Sequence, residues 1–276
     1  MLLGAQLVRK SRLRVALIER GPHLGLGVAY STHCLHHLLN VRASDMTALA
    51  DEPDHFVQWL ARGDRGYGRA DFVPRAVYGR YLQDLLAESV DRSDGRLRVI
   101  TGDVVAIRDR QDGVELDIES QSALRARKAV LATGHRPPSK DSGAYHGNPW
   151  RDEAIAGLAP EGSILLIGTS LTMIDVLLSL LEQGHKGPIV ALSRRGLVPH
   201  HHPSAPIPTP EADTSDLFTG SLSQRMNRFR AKLRGGLGWP GLMQLLRPHN
   251  NELWHALDLD QRKRFLRHLR PWWDIH

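Results

Sequence analysis

The sequence predicts an α/β protein with two nested strand–turn–helix–strand units and a helical C-terminal segment. Three observations carry that reading. Residues 14–19, RVALIE, are a short apolar run closing on an acid, and the glycine-spaced GPHLGLGVAY follows. Residues 163–184, SILLIGTSLTMIDVLLSLLEQG, read as strand, tight turn and helix in succession. Elsewhere β-type runs alternate with segments of helical period, the pattern of a sheet flanked by helices.

At 276 residues the chain suffices for one large domain or two ordinary ones. With 41% hydrophobic and 24% charged residues it has the composition of a globular protein. The formal net charge is +6, and the Arg residues are spread along the chain. No basic stripe interleaved with stacking aromatics accompanies it, so anionic small molecules are expected as partners and nucleic acid is not. Cys34 is the one cysteine, which leaves no intramolecular disulfide and no multi-cysteine metal site. A reducing cytoplasm is the expected location. No run approaches the roughly 20 apolar residues of a membrane span.

MLLGAQLVRK reads as an amphipathic helix. Leu2, Leu3, Ala5, Leu7 and Val8 are available to pack, and Arg9 and Lys10 fall near its C-terminal end, where cations suit the helix dipole. Arg14–Glu19 is the strand that follows. In a Rossmann-like unit an acid at the end of the second strand accepts hydrogen bonds from ribose hydroxyls, which makes Glu19 a candidate; taken alone, such an acid is more often a solvated loop residue. The phosphate loop of that unit belongs about 20 residues earlier, and counting back from Glu19 reaches Met1. The expectation is a first domain over residues 1–155 that starts mid-unit, without its first strand and glycine loop, and binds its nucleotide weakly or not at all.

Several spaced elements then occur in order: Gly25-x-Gly27-x-Ala29-Tyr30, His37-Leu38-Leu39-Asn40-Val41, Asp54-x-Phe56-x-x-Trp59, and Phe72-Val73-Pro74-Arg75-x-x-Tyr78-Gly79-x-Tyr81-Leu82. Together they resemble the FAD/NAD(P)-binding family that includes flavin-dependent urate-hydroxylase-like and L-aspartate N-monooxygenase-like proteins. The resemblance implies that Gly25, Gly27, Ala29 and Tyr30, with Leu39, Asn40, Val41, Asp45 and Met46, lie along FAD, and that Glu19 and Arg20 meet it at the strand end. Read alone, Gly25 and Gly27 would serve a turn equally well. His36 and His37 are adjacent, so their side chains diverge and a shared metal is not expected.

From Ala76 to Val90 the period is helical, with Val77, Tyr81, Leu82, Leu85 and Leu86 on one side. Residues 97–107, 113–120 and 123–134 read as three strands. The last closes on Ala132-Thr133-Gly134, which resembles the segment where the chain of a two-dinucleotide flavoprotein rejoins the parallel sheet beside its cofactor. Val105, Thr133 and Gly134 are the positions this implies near the cofactor; His135 and Arg136 follow without a readable role.

In the second domain, 156–276, Ser163–Ile167 is expected as a buried strand, Gly168 to Thr172 as the turn and Thr172–Gln183 as a helix ending at Gly184. Pro188–Ser193 is the next strand, an order that builds a dinucleotide half-site. Gly168 holds the first glycine position of the turn and Ser170 stands at the second, small enough to let phosphate approach and able to donate. The same family carries a Gly-Thr-x-Leu-Thr-x-x-Asp form here, matched by Gly168, Thr169, Leu171, Thr172 and Asp175. Arg194 and Arg195 end the second strand where an NAD-preferring site would carry an acid; a planar guanidinium fork suits a 2′-phosphate, so NADP(H) is expected over NAD(H). A charged pair on a solvated edge is the competing reading. His200, His201 and His202 lack ligand spacing for a metal.

The C-terminal stretches 222–235, 241–248 and 251–276 are helical by pattern, with Leu253, Trp254, Leu257, Phe265, Leu266 and Leu269 expected inside. Trp272 and Trp273 are expected in a core or interface. The tail resembles a helical insert of the family's NAD(P) domain, and the family's pattern runs past both ends of this chain. The implied activity is an FAD- and NAD(P)H-dependent oxidoreductase, specifically a monooxygenase hydroxylating a small molecule. The alternative is an NADP(H)-binding module without turnover. No catalytic acid or base stands out.

Overall fold

The computed structural model describes residues 1–22, 24–63, 65–134, 145–151, 154–205 and 208–268. His135, Arg136, Leu269, Trp272 and Trp273 lie outside them. Residues 1–165 with 172–190 make one unit, and residues 166–171 with 191–276 the other.

In the first unit, α1 (Leu2–Lys10) leads into β1 (Val15–Glu19), which pairs in parallel with β2 (Leu97–Thr101) from Val15–Leu97 to Glu19–Thr101. Ala5 and Val8 of α1 are buried, while Leu3, expected to pack, is 51% exposed on the outward side. The crossover carries α2 (Gly27–Tyr30), α3 (His55–Arg62) and the 17-residue α4 (Arg75–Asp91). All five apolar positions expected on one side of α4 are buried. Val77, Tyr78, Tyr81 and Leu82 build an aromatic core with α3, in which the Phe56 ring stands 4.9 Å from Tyr78 and 5.0 Å from Tyr81. Each fully buried side chain of this size contributes about 1.5–3 kcal/mol.

The run 97–107, expected as one strand, breaks at Gly102. Its N–H still donates to the Glu19 carbonyl at 3.0 Å, so pairing with β1 ends where β1 ends, and a Cβ at 102 would crowd the Ile118 side chain at 2.6 Å. Beyond it β3 (Val104–Arg110), β4 (Gly113–Ile118) and β5 (Leu124–Ala126) form an antiparallel sheet. The register slips between Val104 and Ala106, leaving Val105 as the unpaired, bulged residue. The expected strand 123–134 shrinks to β5. Residues 127–134 have no regular structure, and Val130 and Leu131 are 67% and 74% exposed: among the described residues no neighbouring strand offers them a ladder.

Next come β6 (Ile164–Ile167), α5 (Leu171–Glu182) and β7 (Ile189–Leu192). Gly184, at φ +81°, ends the helix in a conformation glycine tolerates best. Bonds from Ile164 N–H to Pro188 O and from Gly168 N–H to Leu192 O set the two strands in parallel. Strand β6 was expected to be buried throughout, yet Leu165 and Ile167 are exposed. Successive side chains leave opposite faces of a strand, and one face here is uncovered.

The second unit is mostly helical: α6 (Leu222–Arg234), α7 (Trp239–Leu246), α8 (Asn250–His255) and α9 (Leu259–His268). A capping box between Ser221 and Gln224 starts α6. Leu217, Phe229, Leu242 and Leu246 form its core. Leu257 is buried as expected, whereas Leu266 lies on the outward side of α9, 48% exposed. Among the described residues no helix is long and apolar enough to cross a membrane.

Candidate nucleotide-binding site

Glu19 terminates β1, and its Oε1 accepts the Gly21 N–H at 3.1 Å, so the carboxylate braces the turn that follows the strand. Arg20 beside it is exposed, with Nη1 3.6 Å from Asp103 Oδ2. Gly25 and Gly27 adopt φ of +75° and +55°, the left-handed region that a side chain would strain. Gly27 has no heavy atom within 4 Å of the place a Cβ would take, the clearance an approaching cofactor needs. Ala29 is exposed, and Tyr30 lies half-buried with its ring 5.0 Å from Tyr78. Burial holds the Tyr30 and Tyr78 hydroxyls protonated by raising their pKa values. Tyr30 also explains Gly79: a Cβ at 79 would sit 2.5 Å from the Tyr30 carbonyl oxygen.

The second stretch follows a similar logic. Leu39 is buried and its N–H donates to Val73 O at 2.9 Å, which pins the segment to the chain entering α4. Asn40 is exposed, Val41 half-buried, and Asp45 is exposed at the end of a single 3-10 turn over Ala43–Asp45. Met46 packs on the aromatic core. Val105, Thr133 and Gly134 are exposed and belong to the β3 bulge and the irregular 127–134 segment.

In the second unit, Gly168 has φ +117° and, like Gly27, nothing within 4 Å of an added Cβ. The Thr169 hydroxyl is bonded to Ser193 Oγ at 2.9 Å and to the Leu197 carbonyl, so this side chain ties the turn to the segment after β7. Ser170 is exposed and Leu171 half-buried. The turn leads directly into the first N–H groups of α5, the end of a helix that favours an anion. Arg194 and Arg195 are exposed, and Arg195 Nη2 donates to the Arg267 carbonyl at 3.2 Å. Within the second unit, an open glycine turn and two guanidinium groups are donors of the kind a dinucleotide phosphate takes, so these residues fit that group.

Thr172 and Asp175 lie on α5 within the first unit. Thr172 is exposed, but Asp175 is only 4% exposed and faces Arg75, whose Nη1 donates to its Oδ2 at 2.7 Å. Burial raises the Asp175 pKa, opposed by the Arg75 charge. His37, 3% exposed, completes the group: Nε2 lies 2.8 Å from the Asp175 carbonyl and 3.0 Å from Ser179 Oγ. A carbonyl only accepts, so Nε2 carries the proton, and in the neutral ring Nδ1 accepts from the Thr32 hydroxyl at 2.8 Å. Asp175 therefore anchors α5 internally, with its carboxylate turned away from solvent.

Residues 1–136 match the model of a family described as FAD-NAD(P)-binding. This part of the chain is similar to that family. No match was found among curated proteins. The matched region takes in β1 with Glu19, the Gly25–Tyr30 turn, the Leu39–Met46 stretch and α4, whereas the Gly168 turn and Arg194–Arg195 lie beyond it. Sequence reasoning set His37 aside as half of an unlikely ligand pair and gave Ser179 no role. Arg75 and Asp175 were both inside recognised stretches, but their pairing across 100 residues had no local signal.

Proposed function

We propose that the chain is the nucleotide-binding part of a flavin-dependent NAD(P)H oxidoreductase, acting as a monooxygenase on a small molecule. The observation that carries this reading is the family match over the residues that form β1, the glycine turn and α4. When bound, FAD would accept hydride from the nicotinamide and supply the oxygen chemistry, which belongs to the cofactor. The chain's own residues position and enclose. Glu19 and the Gly25–Tyr30 turn would hold the FAD dinucleotide, and Leu39–Met46 would line its length. Gly168, Ser170 and the N–H groups around them would receive the NADP(H) pyrophosphate, with Arg194 and Arg195 on the 2′-phosphate.

The test uses the purified chain with added FAD and NADPH. Protein-dependent NADPH oxidation, together with thermal stabilisation by NADPH greater than by NADH, supports the reading. Stabilisation by NADPH without oxidation favours a binding module instead. Absence of both effects overturns the proposal.

A further inference from the structure

The helical segment of the second unit holds most of the chain's charge imbalance. Residues 215–268 contain ten Arg and Lys against four Asp and Glu, an excess of six and equal to that of the whole chain. Those cations are used in two ways. On α6, Arg228 donates to the carbonyls of Asp216 and Thr219 at 2.7 and 2.8 Å, and Lys232 pairs with Asp216 at 3.0 Å, so these two fasten the preceding loop. Arg225 and Arg230 have no carboxylate partner among the described residues, and both border an open groove among the helices.

The groove encloses about 690 Å³, inside the range of about 300–1,000 Å³ typical of ligand sites. Its walls are apolar and aromatic, with Phe229, Leu233, Trp239, Leu253, Trp254 and Phe265 as the main surfaces, and its polar rim includes Asn250 and His268. Among the described residues no carboxylate lines it. An apolar trough with cations and neutral donors at its edge complements a ligand with an apolar body and one negative head. We propose that this groove binds an amphipathic monoanion, a carboxylate on a single alkyl or aryl tail. The tail lies against Phe229 and Trp254, and the head meets Arg225 and Arg230. This inference is independent of nucleotide binding.

Laurate, kept below its micelle concentration, is the probe, with dodecanol as the uncharged comparator and tryptophan fluorescence as the readout, since Trp239 and Trp254 line the groove. The expected result is saturable laurate binding at one site per chain, at least tenfold tighter than dodecanol. Arg225→Gln with Arg230→Gln should bring laurate down to the dodecanol level and leave dodecanol unchanged. Leu253→Trp, which fills the groove, should abolish both. Equal affinity for the two ligands, an unaltered response in the arginine variant, or a fluorescence change seen only with vesicles of anionic lipid overturns the proposal. The arginine pair is at the surface, so that variant decides the matter even if Leu253→Trp fails to fold.

Discussion

Arg75 and Asp175 stand 100 residues apart in the chain and 2.7 Å apart in the fold, with their side chains 15% and 6% exposed. The Arg75 Nε also donates to the Leu38 carbonyl, so one guanidinium links the segment before α3, the start of α4 and the middle of α5. Breaking a buried pair from one side strands the other charge, which costs about 3–5 kcal/mol.

Arg75→Met should therefore destabilise the protein in a pH-dependent way. Burial already raises the folded pKa of Asp175, and losing Arg75 removes the main influence lowering it. A carboxyl whose folded pKa lies above its unfolded value binds more protons when folded, so stability falls as pH rises through that window and returns below it. Urea midpoints should show a loss of about 3 kcal/mol at about pH 8 and a clearly smaller loss at about pH 5.

His37 supplies the second link to α5. His37→Phe keeps a ring but leaves the Thr32 and Ser179 hydroxyls without it, and should cost about 2 kcal/mol. His37→Asn, which retains a donor and an acceptor, should recover part of that. Equal losses for the two variants in chemical denaturation would contradict the hydrogen-bonding role.

Two glycine substitutions should move stability in opposite directions. At Gly79 the new methyl would meet the Tyr30 carbonyl at 2.5 Å, so Gly79→Ala should cost about 1–3 kcal/mol and displace the Gly25–Tyr30 turn. At Gly4, inside α1, the same methyl would find Leu97 and Val15 at 3.5 and 3.6 Å, ordinary contact. Gly4→Ala should stabilise by about 0.5 kcal/mol, because alanine favours the helix. Thermal unfolding of the pair measures both.

Cofactor preference should rest on Arg194 and Arg195. Replacing both by Gln should weaken NADPH binding by about tenfold or more, the worth of a charge-assisted contact with phosphate, and leave NADH unchanged. Parallel fluorescence titrations with the two nucleotides distinguish this from a general loss of binding.

The sequence by itself determined the elements whose signals are local. Helical periods and short apolar runs located α1, β1, α4, β6, α5 and β7 to within a residue or two, and the spacing of Gly25, Gly27, Tyr78 and Gly79 fell in the region similar to the FAD-NAD(P)-binding family. Only the tertiary structure decided where those elements stop and what their polar residues do. β2 stops where its partner β1 does, with Gly102 N–H bonding the Glu19 carbonyl, and 127–134 stays outside a sheet because strand pairing depends on a partner distant in sequence. Asp175 read as a cofactor residue because its neighbours Gly168 to Thr172 did. Its buried environment comes from His37 and Arg75, more than a hundred positions back for one and a hundred for the other. Short-range periodicity is written in the chain; a desolvated ion pair exists only once folding has excluded water from both partners.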